Sequence, residues 1–410
     1  MTKSNTVKIV VVGGGLIGPR HASHINKSSE TELFGIIDPM SKTEEIAKNL
    51  NTIWFKSISH MVEYCNDKMI PLPDGAIVAT PNHTHIKVSA ELASHGIHLL
   101  VEKPLSSTPE ESKALQEYAK IKNVQLLVGH HRRFNPFIVE TKKNLHRVGK
   151  IIAIQGTWTL KKPDSYFEIG DWRKDETSGG GALMINLVHD LDLLQYLFGP
   201  IEKIYAELLE KQRDFSADEG AVLTIKFKSG VSGTFICSDN VTSPFNFETG
   251  TGENPTIPFD DGLQGLYRIF GTQGTLSMPD MTLFHQPEAR TNEENSWLNP
   301  ISKHDLINDR QQTLYSKLPF DLQLDHFVSI IRGKQLPFCT ADDGMSALLC
   351  IKAVSKSIKT GLPQYVQDIE DIKPNYDCLG LDIIKLQNQN QHKQPSYNLK
   401  RRNSITKVIA

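Results

Sequence analysis

Gly13, Gly15 and Gly18 are spaced G-x-G-x-x-G directly after the apolar run Ile9–Val12. Such a run reads as a buried parallel strand. The first glycine permits a tight turn, the second lets backbone approach a pyrophosphate, and the third lets the next helix pack close. Phosphate then sits on the free N–H groups of that helix N-terminus. Gly13, Gly15, Leu16, Ile17 and Gly18 are therefore candidate cofactor contacts. A second strand-like run, Leu33–Ile37, ends at Asp38, about 20 residues past the glycines, where a carboxylate takes the ribose hydroxyls of NAD. Its charge repels a 2′-phosphate, so NAD is expected over NADP. A bare glycine turn, and an Asp that only starts the turn at Pro39, are the plainer alternatives.

Three further segments follow strand-like runs, at the strand ends where ligands of such sheets bind. Thr80-Pro81-Asn82 with His85 forms a small polar loop suited to lie against the cofactor. Glu102-Lys103-Pro104 places a lysine at a strand end, where it would hydrogen-bond a substrate hydroxyl and assist its proton loss. Burial there would lower its pKa. Gly129–Pro136 brings Arg133 to the third strand end. Further on, Gly179–Gly181 precedes a long apolar helix, Ala182–Leu197, carrying Asn186, His189, Asp190 and Asp192. At i, i+3 spacing Asn186 and His189 share a face. No second His or Cys follows at i+4, so no metal is expected.

Over residues 7–130, strand-like and helix-like segments alternate. This predicts an α/β domain with a doubly wound parallel sheet over 1–130. Consecutive strands with short turns then predict an α+β domain with a mostly antiparallel sheet over 131–370. Residues 376–410 are rich in Gln, Asn, Lys and Arg and are expected to form a disordered polar, basic tail. Arg401-Arg-Asn-Ser404 within it has basophilic-kinase spacing. The 410 residues exceed one comfortable core, and a net charge of −2 offers no field for nucleic acid or membrane. The five cysteines form no C-x-x-C pair. With no secretory signal or long apolar run, a cytoplasmic protein is expected.

Taken together, G-x-G-x-x-G, Thr80-Pro-Asn82, Glu102-Lys-Pro104, Arg133-Phe134 with Pro136, Asp171-Trp-Arg173 before the triple glycine, and His189 with Asp192 resemble the glucose–fructose oxidoreductase / inositol dehydrogenase / MocA family. The resemblance spans about residues 7–366. It implies an NAD(P)-dependent oxidoreductase moving a hydride to or from a secondary alcohol or ketone of a sugar, cyclitol or related polyol. It also implies a homodimer or homotetramer packed through the open sheet. Lys103 and His189 match the family's catalytic lysine and histidine, Arg173 an arginine near substrate, and Thr80, Asn82, Glu102 and Lys103 positions lining the nicotinamide. One departure stands out: Ile185 holds the place of a common Asp. Proton transfer is therefore assigned to His189 assisted by Lys103, with Asn186 orienting substrate. Phe245, Phe247, Glu248 and Trp297 are candidates to cover or select it, Glu248 as a substrate ligand. A non-catalytic NAD-binding regulator and NAD-dependent glycoside cleavage are the other functions this fold allows.

Overall fold

Six short, almost wholly apolar strands form the first sheet: β1 Val7–Val12, β2 Thr31–Ile37, β3 Ile53–Phe55, β4 Gly75–Val78, β5 His98–Val101 and β6 Leu126–Val128. The computed structural model describes residues 6–286, 297–307 and 317–380. All neighbours in this sheet are parallel, in the order β3-β2-β1-β4-β5-β6. The order reverses between β1 and β4, which opens a crevice at the strands' carboxyl ends. Helices α1 (Ile17–Lys27), α2 (Thr43–Asn49), α3 (Ile58–Lys68), α4 (His85–Ser94) and α5 (Pro109–Ile121) connect the strands. Helix α5 starts where Thr108, Pro109 and Glu111 place it: Thr108 and Glu111 form a capping box.

Helix α6 (Pro136–Asn144) leads into the second domain. Its strands are β7 Ile151–Thr159, β8 Ile201–Leu208, β9 Gly220–Phe227, β10 Ser232–Ser238, β11 Tyr267–Gly271, β12 Gly274–Met278, β13 Thr282–His285, β14 Ser302–Asp305 and β15 Gln364–Tyr365. They lie in the order β14-β13-β12-β11-β7-β10-β9-β8-β15. Only the central β7–β10 pair is parallel; the other pairs are antiparallel, as anticipated. The helices here are α7 (Asp164–Glu168), α8 (Val188–Phe198), α9 (Phe247–Thr251), α10 (Pro319–Ile331) and α11 (Ala341–Thr360).

Two features depart from a simple division of the chain. Leu324, Phe327, Val328 and Ile330 of α10 belong to the core of the first domain, not the second. Helix α11 bridges the two, with Ala341 in the first core and Cys350, Ile351 and Val354 in the second. At the end of the chain, Tyr376–Leu379 forms a 3-10 turn. There Leu379 is buried in the first core and the Tyr376 hydroxyl donates to Glu117. The expected polar tail thus begins no earlier than residue 381, and Ser404 lies outside the described residues.

Candidate active site

The glycine loop has the shape its spacing predicts. Gly13 adopts φ +111°, and a Cβ on Gly18 would run into the Gly13 carbonyl oxygen. A Cβ on Gly15 would meet no protein atom within 4 Å. Helix α1 behind it has no capping side chain and no acid in its first turn. An open backbone surface before an uncapped helix N-terminus suits a pyrophosphate. Asp38, at the end of β2, accepts hydrogen bonds from the Gly14 amide (2.7 Å) and the Met40 amide (2.8 Å). Its carboxylate therefore stands beside the loop, where the ribose of a bound dinucleotide belongs. These residues fit NAD.

Because β4, β5 and β6 are adjacent, their three following loops lie side by side. Glu102 is tied down through its backbone amide to Val78 (2.9 Å) and its carboxylate to His21 of α1 (2.7 Å). Burial pulls the Glu102 carboxyl upward. The His21 hydrogen bond and charge, with His131 and Lys103, outweigh burial and hold it at about 2. The next residue, Lys103, reaches across to the second domain and donates to the Ile185 carbonyl oxygen at 3.0 Å. Burial, opposed by Glu102 and reinforced by Arg132 and Lys162, lowers its amino group to about 8.

The partner carbonyl sits in an irregular helix start. The expected continuous helix is a π-helical turn, Leu183–Leu187, followed by α8. Such wide turns recur at functional sites. At position 185 a neutral backbone oxygen, not a carboxylate, meets the lysine, so no anion from this helix holds the proton on Lys103.

His189 is 6% exposed, and its Nδ1 has no hydrogen-bond partner. Its ring stands edge-on to His131 (5.3 Å) and His130 (6.1 Å). Burial, then the charges of Lys103 and Arg132, push its pKa well below the ordinary value. It is a neutral imidazole at physiological pH. Asn186 is buried and accepts at Oδ1 from Lys162 (2.7 Å). Lys162 also pairs with Asp239 at 3.1 Å. Nothing in the local sequence marked Lys162, which follows β7 and whose partners lie far along the chain.

Several sequence assignments change here. Arg133 is not available to a cofactor: it forks onto Asp192 (2.8 and 2.7 Å) and reaches Asp343 (3.1 Å), with its guanidinium over Tyr196. It joins the strand-end loop to α8 and α11. His85 is also committed, with Nδ1 2.9 Å from the Pro104 carbonyl and Nε2 2.9 Å from that of Thr80. It is 1% exposed and braces the Thr80 and Lys103 loops from beneath. Glu248 spends both oxygens on Arg132 (2.7 Å) and Trp158 Nε1 (3.0 Å), which leaves it no oxygen dedicated to substrate. Phe247 is fully buried against Tyr267, whereas Phe245 and Trp297 are exposed. Thr80 and Asn82 are half-buried and Pro81 exposed in the loop after β4. A methyl on Gly179 of the second domain would lie 3.7 Å from the Asn82 amide nitrogen.

Behind His189 lies a buried polar cluster that joins Asp190 and Glu248, both singled out in the sequence, to Arg132 and Glu253, which were not. Arg132 binds Glu253 (2.8 Å) and Glu248, and lies 3.7 Å from Asp190. Asp190 accepts from the Tyr267 hydroxyl at 2.6 Å. Burial raises Asp190 to about 7 against the pull of Arg132 and Tyr267.

A dinucleotide cradle, a strand-end lysine and a histidine from a second domain define an NAD(P)-dependent oxidoreductase. Family comparisons agree. Residues 7–130 match the NAD-binding Rossmann fold of an oxidoreductase family, and residues 142–367 match its C-terminal alpha/beta domain. The chain belongs to this family, that of glucose–fructose oxidoreductase, inositol dehydrogenase and MocA. It is 26% identical over 368 residues to an NAD-dependent scyllo-inositol 2-dehydrogenase of Bacillus subtilis, covering 87% of this chain and 95% of that protein. It is 28% identical over 216 residues to a levoglucosan dehydrogenase of Pseudarthrobacter phenanthrenivorans, 48% of this chain and 53% of that one. In fold it matches the WlbA dehydrogenase of Bordetella pertussis, solved with NADH and UDP-GlcNAcA. The TM-score is 0.68 at 22% identity, over 88% of this chain and 99% of that one.

Proposed function

We propose that the chain oxidises a secondary alcohol, or reduces the ketone, of a sugar-like or cyclic polyol, with Lys103 as the acid–base group. The observation that carries this is the Lys103 amino group, half-buried at a cofactor-domain strand end and donating across to the Ile185 carbonyl oxygen of the second domain at 3.0 Å, in surroundings that lower its pKa to about 8. A proton-transfer group works best with a pKa near the operating pH. His189, held far below that range, is a poor base. Proton transfer therefore moves from His189, where the sequence put it, to Lys103. His189 hydrogen-bonds the same substrate oxygen as a neutral ring, and Asn186, itself held by Lys162, orients a neighbouring hydroxyl. NAD held by the Gly13–Gly18 loop and Asp38 would supply the hydride acceptor for the carbon that bears that oxygen. In oxidation the Lys103 amine takes the hydroxyl proton; in reduction the ammonium returns it. Glu102, pinned by His21, fixes the strand end from which Lys103 extends.

A panel of polyols, aldoses, cyclitols and ketones, followed by the absorbance of reduced cofactor, tests the activity. Tight NAD binding without turnover of any member would contradict it and favour a regulatory role. Asp38 supports NAD over NADP. Asp38→Ala is expected to narrow that preference by about tenfold or more, through loss of like-charge repulsion and of the ribose contacts. An unchanged ratio of kcat/KM for the two cofactors would remove Asp38 from cofactor choice.

The same reading extends to assembly. Ile152, Leu208, Val222, Ile236 and Phe270 are exposed on the second sheet, and Val222 and Ile236 sit directly opposite each other. Helices α8 and α11 contribute to the core on its inner side. The outer side is an apolar surface suited to a second copy of this chain, giving a homodimer or homotetramer in the cytoplasm.

A further inference from the structure

Lys162 follows β7 and is 8% exposed. Its ammonium donates to Asn186 Oδ1 at 2.7 Å and pairs with Asp239 at 3.1 Å. It lies 4.6 Å from the ring centre of Tyr166. Asp239 does not serve Lys162 alone, because its other oxygen accepts from Arg213 at 2.8 Å. Two cations therefore share one carboxylate. Arg173, in the 3-10 turn Asp171–Lys174, approaches the same Tyr166 ring at 4.9 Å and Trp172 at 4.8 Å. The remaining acid here, Asp218, is engaged by the Leu183 amide at 3.0 Å. An ammonium buried on a shared counter-ion costs stability, and such local costs concentrate where function needs them.

The bond to Asn186 fixes an orientation. An ammonium only donates, so the Asn186 amide turns its oxygen to Lys162 and its nitrogen away. That nitrogen has no hydrogen-bond partner among the described residues. Asn186 belongs to the π-helical turn of Ile185, whose carbonyl holds Lys103, and lies three residues before His189. Lys162 thus reaches the turn where the family resemblance leads one to expect an acid, and brings the opposite charge to it. The charged groups facing Lys103 are Glu102 from its own loop, Glu248 from α9, Arg132 from the turn after β6, and Lys162. The rings of His85, His130 and His189 face it as well, and burial lowers the pKa of all three. Glu102 and Glu248 favour the ammonium form of Lys103, whereas Arg132 and Lys162 favour the amine. Arg132 is answered by Glu248 and Glu253. Lys162 has only its share of Asp239.

We propose that Lys162 is a positioning residue for the reaction: it turns the Asn186 amide so that the substrate meets N–H donors, and it brings a second positive charge to the helix turn that holds Lys103. The inference rests on the dehydrogenase reading above and deepens it. A substrate oxygen beside the reacting carbon is then bound as an acceptor. The added charge favours the neutral amine that oxidation uses. It also favours the negative charge that develops on the reacting oxygen as its proton leaves.

The test uses Lys162→Met, which removes donor and charge while Arg213 still holds Asp239. On the best substrate of the polyol panel it should raise KM about tenfold, because the Asn186 amide is no longer held. The inflection of kcat/KM for oxidation should also move up by about half a pH unit or more. Lys162→Arg should keep the inflection near that of wild type and regain part of KM. In the double variant Lys162→Met/Asn186→Ala, KM should be no higher than in Asn186→Ala alone, while the inflection still moves. NAD binding by each variant verifies that it is folded, and Lys162→Gln, also uncharged, replaces the methionine variant if that one does not bind. Additive KM losses in the double variant, or one inflection shared by wild type and the uncharged variant, would overturn the inference. If no panel member turns over, the dehydrogenase reading fails on its own, and titration of Lys103 itself decides. Its acetylation by acetic anhydride, followed against pH by peptide mass, should then have a higher midpoint in Lys162→Met than in wild type. Equal midpoints would contradict the proposal.

Discussion

Lys103→Met should lower kcat about a thousandfold while leaving NAD affinity within a few-fold of wild type. The amino group is the proposed proton-transfer group, and the ribose and pyrophosphate contacts are proposed for Gly13–Gly18 and Asp38. Stability should move the other way. Burial lowers Lys103 from its ordinary 10.5 to about 8. Between those values the unfolded chain holds a proton that the folded one has released, so stability rises with pH across that window. Below pH 8 the half-buried ammonium is therefore held at a cost to the fold. Methionine fills a similar volume without the charge. The variant should therefore unfold at the same temperature as wild type or higher at pH 7, and thermal melts check this. Loss of activity with a lowered melting point and lost NAD binding would indicate unfolding, not loss of a catalytic group.

The second large effect belongs to a residue far less suggestive of structure in the sequence. Arg133→Ala should destabilise the protein by about 3–5 kcal/mol. The substitution strips Asp192, which is 1% exposed, of a two-point ion pair, and it also removes the contact with Asp343 and the packing on Tyr196. An uncompensated carboxylate would remain in the core where the loop after β6, α8 and α11 meet. Chemical denaturation of the two proteins provides the comparison. A loss below about 1 kcal/mol would mean that water reaches Asp192 readily and that the pair holds little of the interface. A cofactor-binding arginine would instead have given a large loss of NAD affinity with a small change in stability.

These two residues illustrate what the chain reveals before it folds. The glycine loop, Asp38 and the strand-end motifs were legible because their physics is local. A glycine at φ +111°, a buried strand and the residue that ends it all depend on neighbours within a few positions. What each side chain bonds to was not legible, because the partners are remote. Glu102 meets His21 81 residues away, Lys103 meets the Ile185 carbonyl at 82, and Arg133 meets Asp192 at 59. Arg133, His85 and Glu248 had the residue types of ligands and proved to be braces. The π turn at Leu183–Leu187 has no signature in an apolar helix pattern, yet it presents a carbonyl to Lys103 where an aspartate was missed. The return of helix α10 to the first core was not legible either, since an apolar face does not say which core it seeks. Lys162 and Arg173 become informative only once burial and partners are known.

The absence of an acid at position 185 sharpens the central claim. With a neutral carbonyl as its close partner on that helix, Lys103 is free to lose its proton near pH 8, whereas His189 stays neutral throughout. The most direct test is the pH dependence of kcat/KM in both directions on one substrate pair. Oxidation needs the amine, so its rate should rise through about pH 8. Reduction needs the ammonium, so its rate should fall through the same value, with no inflection near 6.5 in either limb. If both limbs instead titrated near 6.5, or if the residual activity of Lys103→Met kept the wild-type profile, the acid–base group would not be Lys103.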